Sequence, residues 1–180
     1  MENDRVRRQI TEALFVLMER RRFSAITVTD IVAEAGVARA SYYRNFKSKE
    51  DVINAWMSDL HDSIQPSDTK PREYDVFARA NIADGFERSL TRFLTAKSYI
   101  LTLYRNGFAS LIQDTINGYV RGMAGRAPMG SISQYRLYFV AGAMFNILIK
   151  WLEGGAVESP RAIAQACADW LALGVSDKPF

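Results

Sequence analysis

The sequence predicts an all-α fold, and three observations support this prediction. Apolar residues recur every three or four positions over most of the chain, which is the spacing of one helix face. Residues typical of helix starts and ends separate these stretches. No alternation of apolar and polar residues is long enough to indicate a sheet.

The composition is that of a globular protein with a buried core. Of the 180 residues, 48% are hydrophobic and 24% are charged, and the net charge of +3 permits a nucleic-acid partner without arguing for one. The N-terminus lacks the apolar stretch of a signal peptide, and the longest apolar segment, Tyr138 to Leu152, is too short to cross a bilayer. The single cysteine, Cys167, excludes an internal disulfide. We therefore expect a cytoplasmic protein with no membrane partner.

Local signals place the first helices. One face of an N-terminal helix carries Val6, Ile10, Ala13, Leu14 and Leu17. Thr27 and Asp30 form a variant capping box for a second helix, and Gly36 lies where a helix end needs positive φ. A short helix is predicted over Arg39–Phe46, and Ser48 with Asp51 predicts the cap of a longer one.

Further helical stretches follow a polar segment, Asp62 to Tyr74, that contains two prolines and is predicted as a loop. Ser159 and Pro160 are a typical N-cap and first-turn pair. The predicted stretches are Val76–Thr95, Ser98–Asn106, Phe108–Met123, Ser131–Glu153 and Pro160–Leu173.

The segment from Thr27 to Asp51 has the pattern of a helix-turn-helix, two short helices joined by a glycine turn. In such a unit the second helix enters the major groove. Positive charges suited to phosphates and to guanine occur there without any acid between Val37 and Lys49: Arg39, Arg44, Lys47 and Lys49.

The side chains of the second short helix suit a close approach to DNA. Ala40 and Ser41 are small, and Asn45 offers a polar tip. We expect Tyr43 to face DNA and Tyr42 to pack inward. A few basic residues on a short helix are more often only a solvated face, but the paired helices, the turn and the capped helix that follows favour DNA binding.

The stretch ITVTDIVAEAGVARASYYRNFKSKEDVI resembles the DNA-binding signature of the TetR family, and the likeness extends roughly from Asp4 to Leu60. The sequence departs from the family where Ala38 replaces a common capping serine, Ala40 a common glycine and Tyr42 a common aliphatic residue. The resemblance implies DNA contacts at Thr27, Thr29, Arg39, Ala40, Ser41, Tyr43, Arg44, Asn45 and Lys49. The positive charge of Lys47 adds one further expected contact.

The resemblance also implies a domain organisation. Residues 1–47 would form the helix-turn-helix DNA-binding domain, 48–63 a connecting helix and 64–75 a loop. Residues 76–180 would form a helical effector-binding and dimerisation domain. The expected fold is therefore TetR-like, with an N-terminal three-helix DNA-binding domain and a C-terminal helical domain.

The stretch YFVAGAMFNILIKWLEGGAVESPRAIAQACADWL resembles the C-terminal domain of a TetR subgroup that includes regulators of dihydroxyacetone kinase genes. The likeness implies a dimer formed by the last two long helices. It implies a palindromic operator too, with recognition helices about 34–36 Å apart. Residues that could contribute to the dimer interface are Phe139, Gly142, Ala143, Asn146, Ile149 and Lys150.

Aromatic and methionine side chains are dense in the second half and suggest an apolar or amphipathic effector pocket. A plain hydrophobic core is the better explanation of any single one of them, because aromatic side chains dominate cores too. The candidate pocket residues are Phe86, Phe93, Tyr99, Tyr104, Phe108, Tyr119, Met123, Tyr138, Met144 and Phe145.

No arrangement of residues indicates an enzyme, a metal site or a cofactor site. The single histidine, His61, has no readable catalytic partner, and no phosphate-binding glycine loop is present.

From the helix-turn-helix and the family resemblance we expect a homodimeric, ligand-responsive repressor that binds double-stranded DNA. The alternative is an interaction module of the same fold that acts through another protein or a ligand rather than by binding DNA alone.

Overall fold

The computed structural model describes residues 2–64, 79–124 and 132–173, and every regular element in these ranges is helical. The predicted all-α class is therefore confirmed. A short 3-10 helix, Phe23–Ala25, follows the first α-helix. The α-helices are α1 (Glu2–Arg20), α2 (Val28–Ala35), α3 (Arg39–Asn45), α4 (Lys49–Ile64), α5 (Arg79–Thr95), α6 (Lys97–Arg105), α7 (Ala109–Ala124), α8 (Ile132–Glu153) and α9 (Pro160–Leu173).

Local capping explains where several helices begin and end. The Thr27–Asp30 capping box is present at α2, which ends at Gly36 with φ 64°. Ser48 and Asp51 exchange backbone-to-side-chain hydrogen bonds of 3.1 and 3.2 Å at the start of α4. Ser159 Oγ accepts a hydrogen bond from the N–H of Ala162, 3.2 Å away, at the start of α9. These predicted caps are confirmed.

The N-terminal compact unit consists of Met1–Leu60 together with Thr102–Ala109. Within it, α2 and α3 both pack against α1. Burial of large apolar side chains is the main stabilising term for such a small unit. Its fully buried side chains include Ile10, Leu14, Phe15, Ile26, Ile31, Tyr42 and Ile53.

The segment Thr102–Ala109 lies in this N-terminal unit, although the sequence assigned it to the C-terminal helical domain. The Asn106 side chain accepts a hydrogen bond from the N–H of Phe23 at 2.9 Å and donates one to the carbonyl of Met18 at 3.2 Å. The rings of Phe108 and Phe23 meet edge to face with centroids 4.9 Å apart. These contacts tie the turn after α6 to the end of α1.

The C-terminal compact unit consists of His61–Leu101 and Ser110–Phe180, in which α5 packs chiefly against α9 and also against α8. After α8 the chain turns at Gly155, which has φ 99°, and the Trp151 indole donates a hydrogen bond to the carbonyl of Glu158 at 3.1 Å. The buried side chains of the C-terminal unit include Phe86, Leu90, Phe93, Ile112, Ile116, Leu148, Leu152 and Ala168.

Most of the predicted 64–75 loop lies outside the described residues, but Ile64 still belongs to α4. The predicted helix starts at Val76 and Ser131 also lie outside the described residues. The other predicted helix ends differ by at most one residue from those observed; Phe108, for example, lies in the turn before α7. None of the helices in the described ranges is long and apolar enough to cross a membrane.

Candidate nucleic-acid interface

The helix α3 buries one face and exposes the other. Tyr42 is 0% exposed and Tyr43 is 49% exposed, so the predicted inward and outward orientations of these side chains are confirmed. Burial raises the pKa of Tyr42 to about 12, because the apolar surroundings disfavour a phenolate. Ala38 makes no side-chain cap, as its departure from the family pattern predicted.

The outer face of α3 is positively charged. Arg39, Arg44 and Lys47 are exposed, and no acidic residue occurs between Val37 and Lys49. Exposed cations without neighbouring acids are what phosphate neutralisation requires. Ala40 is exposed on the same short helix and leaves room for a close backbone approach.

Three predicted contact residues come together around one guanidinium. Arg39 Nη1 donates to Thr29 Oγ1 at 3.1 Å, and Nη2 donates to the Tyr43 hydroxyl at 3.2 Å. The Arg39 Cζ atom also lies 5.5 Å from the centroid of the Tyr43 ring. The side chain of Arg39 is therefore supported by both α2 and α3.

A second group of predicted residues gathers around Ser41. Arg44 Nη2 donates to Ser41 Oγ at 2.8 Å, and the Asn45 amide donates to the Ser41 carbonyl at 2.8 Å. Asn45 is thus partly committed to α3 itself, while Arg44 remains exposed.

Thr27 is committed to the start of α2. Its hydroxyl donates to Asp30 Oδ2 at 2.7 Å and accepts from the N–H of Asp30 at 3.2 Å. Hydrogen bonds from Thr27 lower the pKa of Asp30, with a smaller contribution from Arg21, whose Nη2 lies 3.4 Å from Asp30 Oδ1. Arg21 was not among the predicted site residues, although the run Arg20–Arg22 was a signal for it.

Lys49 has a different environment from the other predicted contacts. Its ammonium donates to the carbonyls of Phe23 at 2.7 Å and Ile26 at 2.8 Å, and it lies 4.4 Å from the centroid of the Phe23 ring. The ammonium therefore holds the turn between α1 and α2, and we assign Lys49 chiefly to stabilising that turn.

The candidate effector residues do not share one environment. Phe86, Phe93, Tyr119 and Met144 are buried in the C-terminal unit, Tyr99 and Phe145 are half-buried there, and Tyr138 is exposed. The Tyr119 hydroxyl donates to the carbonyl of Gly85 at 3.2 Å. Tyr104 and Phe108 belong to the N-terminal unit, and the side chain of Met123 lies outside the described residues.

The candidate dimer residues on α8 are mostly accessible. Phe139 is 63% exposed, Asn146 and Lys150 are exposed, and Gly142 and Ala143 are partly exposed. Ile149, at 2% exposed, is buried in its own unit. Two further exposed aromatic residues were missed by the sequence prediction, Tyr135 on α8 and Trp170 on α9.

Metal-binding chemistry has no visible site here. Within residues 2–64, 79–124 and 132–173, no three His, Cys, Asp or Glu side chains are grouped so that they could hold an ion. The buried thiol of Cys167 has a pKa raised to about 11 by desolvation, which disfavours the reactive thiolate.

Comparisons with known proteins connect this geometry to a family. Residues 10–56 match the family described as bacterial regulatory proteins, tetR family. This range covers the helix-turn-helix and much of α4. Among curated proteins, no sequence gives a significant match to the chain.

Three solved structures resemble the whole fold. The dihydroxyacetone kinase operon activator DhaS has a TM-score of 0.62 and 13% identity, covering 93% of this chain and 94% of its own. A TetR transcriptional regulator from Streptococcus agalactiae 2603V has a TM-score of 0.61 and 16% identity, and the match covers 94% of this chain and 95% of the regulator. The fatty acid degradation regulator FadR from Bacillus halodurans has a TM-score of 0.54 and 14% identity, and the match covers 96% of this chain and 97% of FadR. The predicted TetR-like fold is therefore confirmed.

Proposed function

Because residues 10–56 match the tetR-family model and the fold is TetR-like, we propose that this chain is a transcriptional regulator that binds a palindromic operator as a homodimer and represses transcription from it. The observation that carries the proposal is the acid-free outer face of α3, on which Arg39, Arg44 and Lys47 are exposed beside the small Ala40. Such a regulator would act in the cytoplasm.

The described contacts favour different roles for the proposed DNA-binding residues. Arg44 and Lys47 are exposed cations suited to phosphates, whereas Arg39 is held as a fork suited to a base edge. Thr27 would act through the start of α2, where helix N-terminal N–H groups favour phosphate. Ala40, Ser41 and Asn45 would line the approach of α3 to the groove.

The proposed dimer would use the accessible face of α8. Phe139 and Tyr135 expose large aromatic surfaces, which the same helix of a second copy of the chain could cover. Gly142 and Ala143 are small enough to allow close approach of a second helix. Ile149 is omitted from this proposed interface because its side chain is buried.

We place the proposed effector among the aromatic side chains of the C-terminal unit. An apolar ligand bound there could shift operator affinity through α4, and a coupling of about 1–3 kcal/mol would be enough to switch occupancy. The same side chains would also serve as a packed core. If no effector binds there, the proposed DNA binding and dimerisation are unaffected.

The test is a binding titration of the purified full-length chain on duplex DNA from the region upstream of its own gene. Affinity should fall steeply with salt, because binding releases counterions from phosphates. Lys47→Ala should lower the slope of log affinity against log salt by about 1 for each protomer of the bound dimer. Arg161→Ala, an exposed arginine on α9, is the matched control and should leave the slope unchanged.

Two other candidates would give different results. An interaction module that acts through another protein would show no salt-dependent binding by the purified chain. An activator is favoured by one observation, the printed name of the structural neighbour DhaS, an operon activator. A promoter–reporter fusion separates the two signs of regulation: deletion of the gene should raise reporter output for a repressor and lower it for an activator.

A further inference from the structure

We propose, resting on the proposed function, that Arg39 recognises a guanine in each operator half-site, and that Thr29 and Tyr43 are positioning residues for its guanidinium. These three side chains form what we call the Arg39 clamp. It deepens the proposed function from DNA binding in general to one base at one position.

The clamp draws on two helices. Thr29 lies in the first turn of α2 and Tyr43 lies one turn after Arg39 on α3, and the two hydroxyls accept hydrogen bonds from different terminal nitrogens of the same guanidinium. The Tyr43 ring provides a third support, 5.5 Å from Arg39 Cζ. A long and otherwise mobile side chain is thereby held before it meets DNA.

The charge of the clamp remains available to a ligand. Within the described part of the chain, both hydrogen-bond partners of Arg39 are neutral hydroxyls. The nearby carboxylate of Asp30 is already bonded to Thr27 and lies beside Arg21. A guanidinium has more N–H donors than these two bonds use, so further donors can reach a base.

Guanine is the base that matches such a fork. In the major groove it presents two adjacent acceptors, O6 and N7, whereas adenine and cytosine present an amino donor and thymine a single acceptor beside a methyl group. A fixed planar fork pairs with two acceptors better than a flexible one, because less freedom is lost on binding.

The other cations of the interface have no comparable support. Arg44 is held by one hydrogen bond, to Ser41 Oγ, and Lys47 has a compact ammonium that cannot form a planar fork. They are therefore assigned to phosphates, which carry no sequence information.

The test is a selection of the full-length protein on a library of random-sequence duplexes, followed by titration on the selected site. The wild-type chain should enrich sites with a guanine at a fixed position in each half. Arg39→Ala should lose about 5- to 150-fold of the discrimination at that position alone. Arg39→Lys should lose part of that discrimination, because a compact ammonium cannot present a planar fork, while keeping most of its affinity for random duplexes.

The positioning role is tested by removing single hydroxyls. Thr29→Val and Tyr43→Phe keep side-chain size, and each should reduce discrimination at the same position by about 2- to 10-fold. Thr115→Val is the matched control, since its hydroxyl donates to the carbonyl of Leu111 within α7, and it should leave the preference unchanged.

Replacing the selected guanine by 7-deazaguanine removes the N7 acceptor alone. This change should weaken the wild-type protein and leave Arg39→Ala unaffected. An Arg39→Ala protein that keeps the wild-type preference, or equal losses with 7-deazaguanine, would overturn the role of Arg39. Unchanged discrimination in both hydroxyl variants would overturn the clamp. A wild-type chain that enriches no sequence and shows no salt-dependent binding would overturn the proposed function itself.

Discussion

Tyr42 and Tyr43 are adjacent in the chain but have opposite environments. Tyr42 is completely buried, and its hydroxyl has no hydrogen-bond partner among the described residues. A buried polar group without a partner costs free energy, because it gives up its hydrogen bonds to water. Its ring makes an edge-to-face contact with Tyr43 and a tilted contact with Phe46, so the ring rather than the hydroxyl stabilises the unit.

Tyr42→Phe should therefore raise the free energy of unfolding by about 1 kcal/mol at neutral pH, as measured by urea denaturation. The pKa of Tyr42 is raised to about 12 in the folded state, so the wild type loses stability as pH rises from about 10 towards 12. The variant should lose less over that window. Tyr43→Phe is the control and should change stability by under about 0.5 kcal/mol. A destabilised Tyr42→Phe protein would contradict this account.

Lys47 and Lys49 are two lysines of similar sequence context but different environments. The ammonium of Lys49 satisfies two carbonyls of the turn after α1, whereas Lys47 is exposed. Lys49→Met should lower the free energy of unfolding by about 1–2 kcal/mol, at the lower end for a charged donor because the side chain is partly exposed.

The control is Lys47→Met, which should leave the denaturation midpoint almost unchanged while weakening DNA binding. If Lys49→Met were as stable as the wild type and lost DNA affinity to the same extent as Lys47→Met, Lys49 would be a phosphate contact instead.

At the scale of elements, α3 is the one helix of the helix-turn-helix that begins without a side-chain cap. Ala38 occupies the N-cap position with φ −68° and ψ 142°, a conformation that a serine cap also adopts. α2, by contrast, has a complete capping box. No side chain therefore accepts a hydrogen bond from the first turn of α3, and under the proposed function its first backbone N–H groups would be open to operator phosphates.

Ala38→Ser should raise the free energy of unfolding by roughly 0.5–1 kcal/mol, because the new hydroxyl can accept a hydrogen bond from the first turn of α3. Thermal denaturation followed by circular dichroism measures the change. Ala33→Ser, at an exposed position inside α2, is the matched control and should stabilise nothing. Equal effects of the two substitutions would show that capping is not the cause.

Helix boundaries could be predicted from the sequence because their signals are local. The caps at Thr27, Ser48 and Ser159 each involve residues three positions apart. The environment of Lys49 could not be predicted in this way, since its carbonyl partners lie 23 and 26 residues earlier. The sequence predicted Arg39 and Thr29 as separate DNA contacts. It could not predict the hydrogen bond between them, because that bond joins two helices across a turn.

At the scale of the molecule, the exposed aromatic residues of α8 and α9 bear on assembly. Tyr135 and Phe139 are 69% and 63% exposed one turn apart on α8, and Trp170 is 55% exposed on α9. The sequence predicted Phe139 but missed the other two, because an aromatic residue in a helix gives no local sign of whether it faces the core or solvent.

Phe139→Glu should convert the proposed dimer into a folded monomer, because a charge would be buried at the centre of the apolar contact. Sedimentation velocity measures the mass, and circular dichroism checks that helix content is kept. Ser110→Glu, at an exposed position in α7, is the control and should leave the assembly unchanged. A wild-type chain that sediments as a monomer would contradict the proposed dimer.

The Asn106 contacts have a consequence for protein engineering. A chimera could join the DNA-binding head of one regulator to the ligand-binding part of another at a single crossover. In this chain a head cut after Leu60 would lack Asn106 and Phe108, so the N–H of Phe23 and the carbonyl of Met18 would lose their partner. A functional chimera would need two crossovers, so that residues 102–109 are transplanted together with residues 1–60.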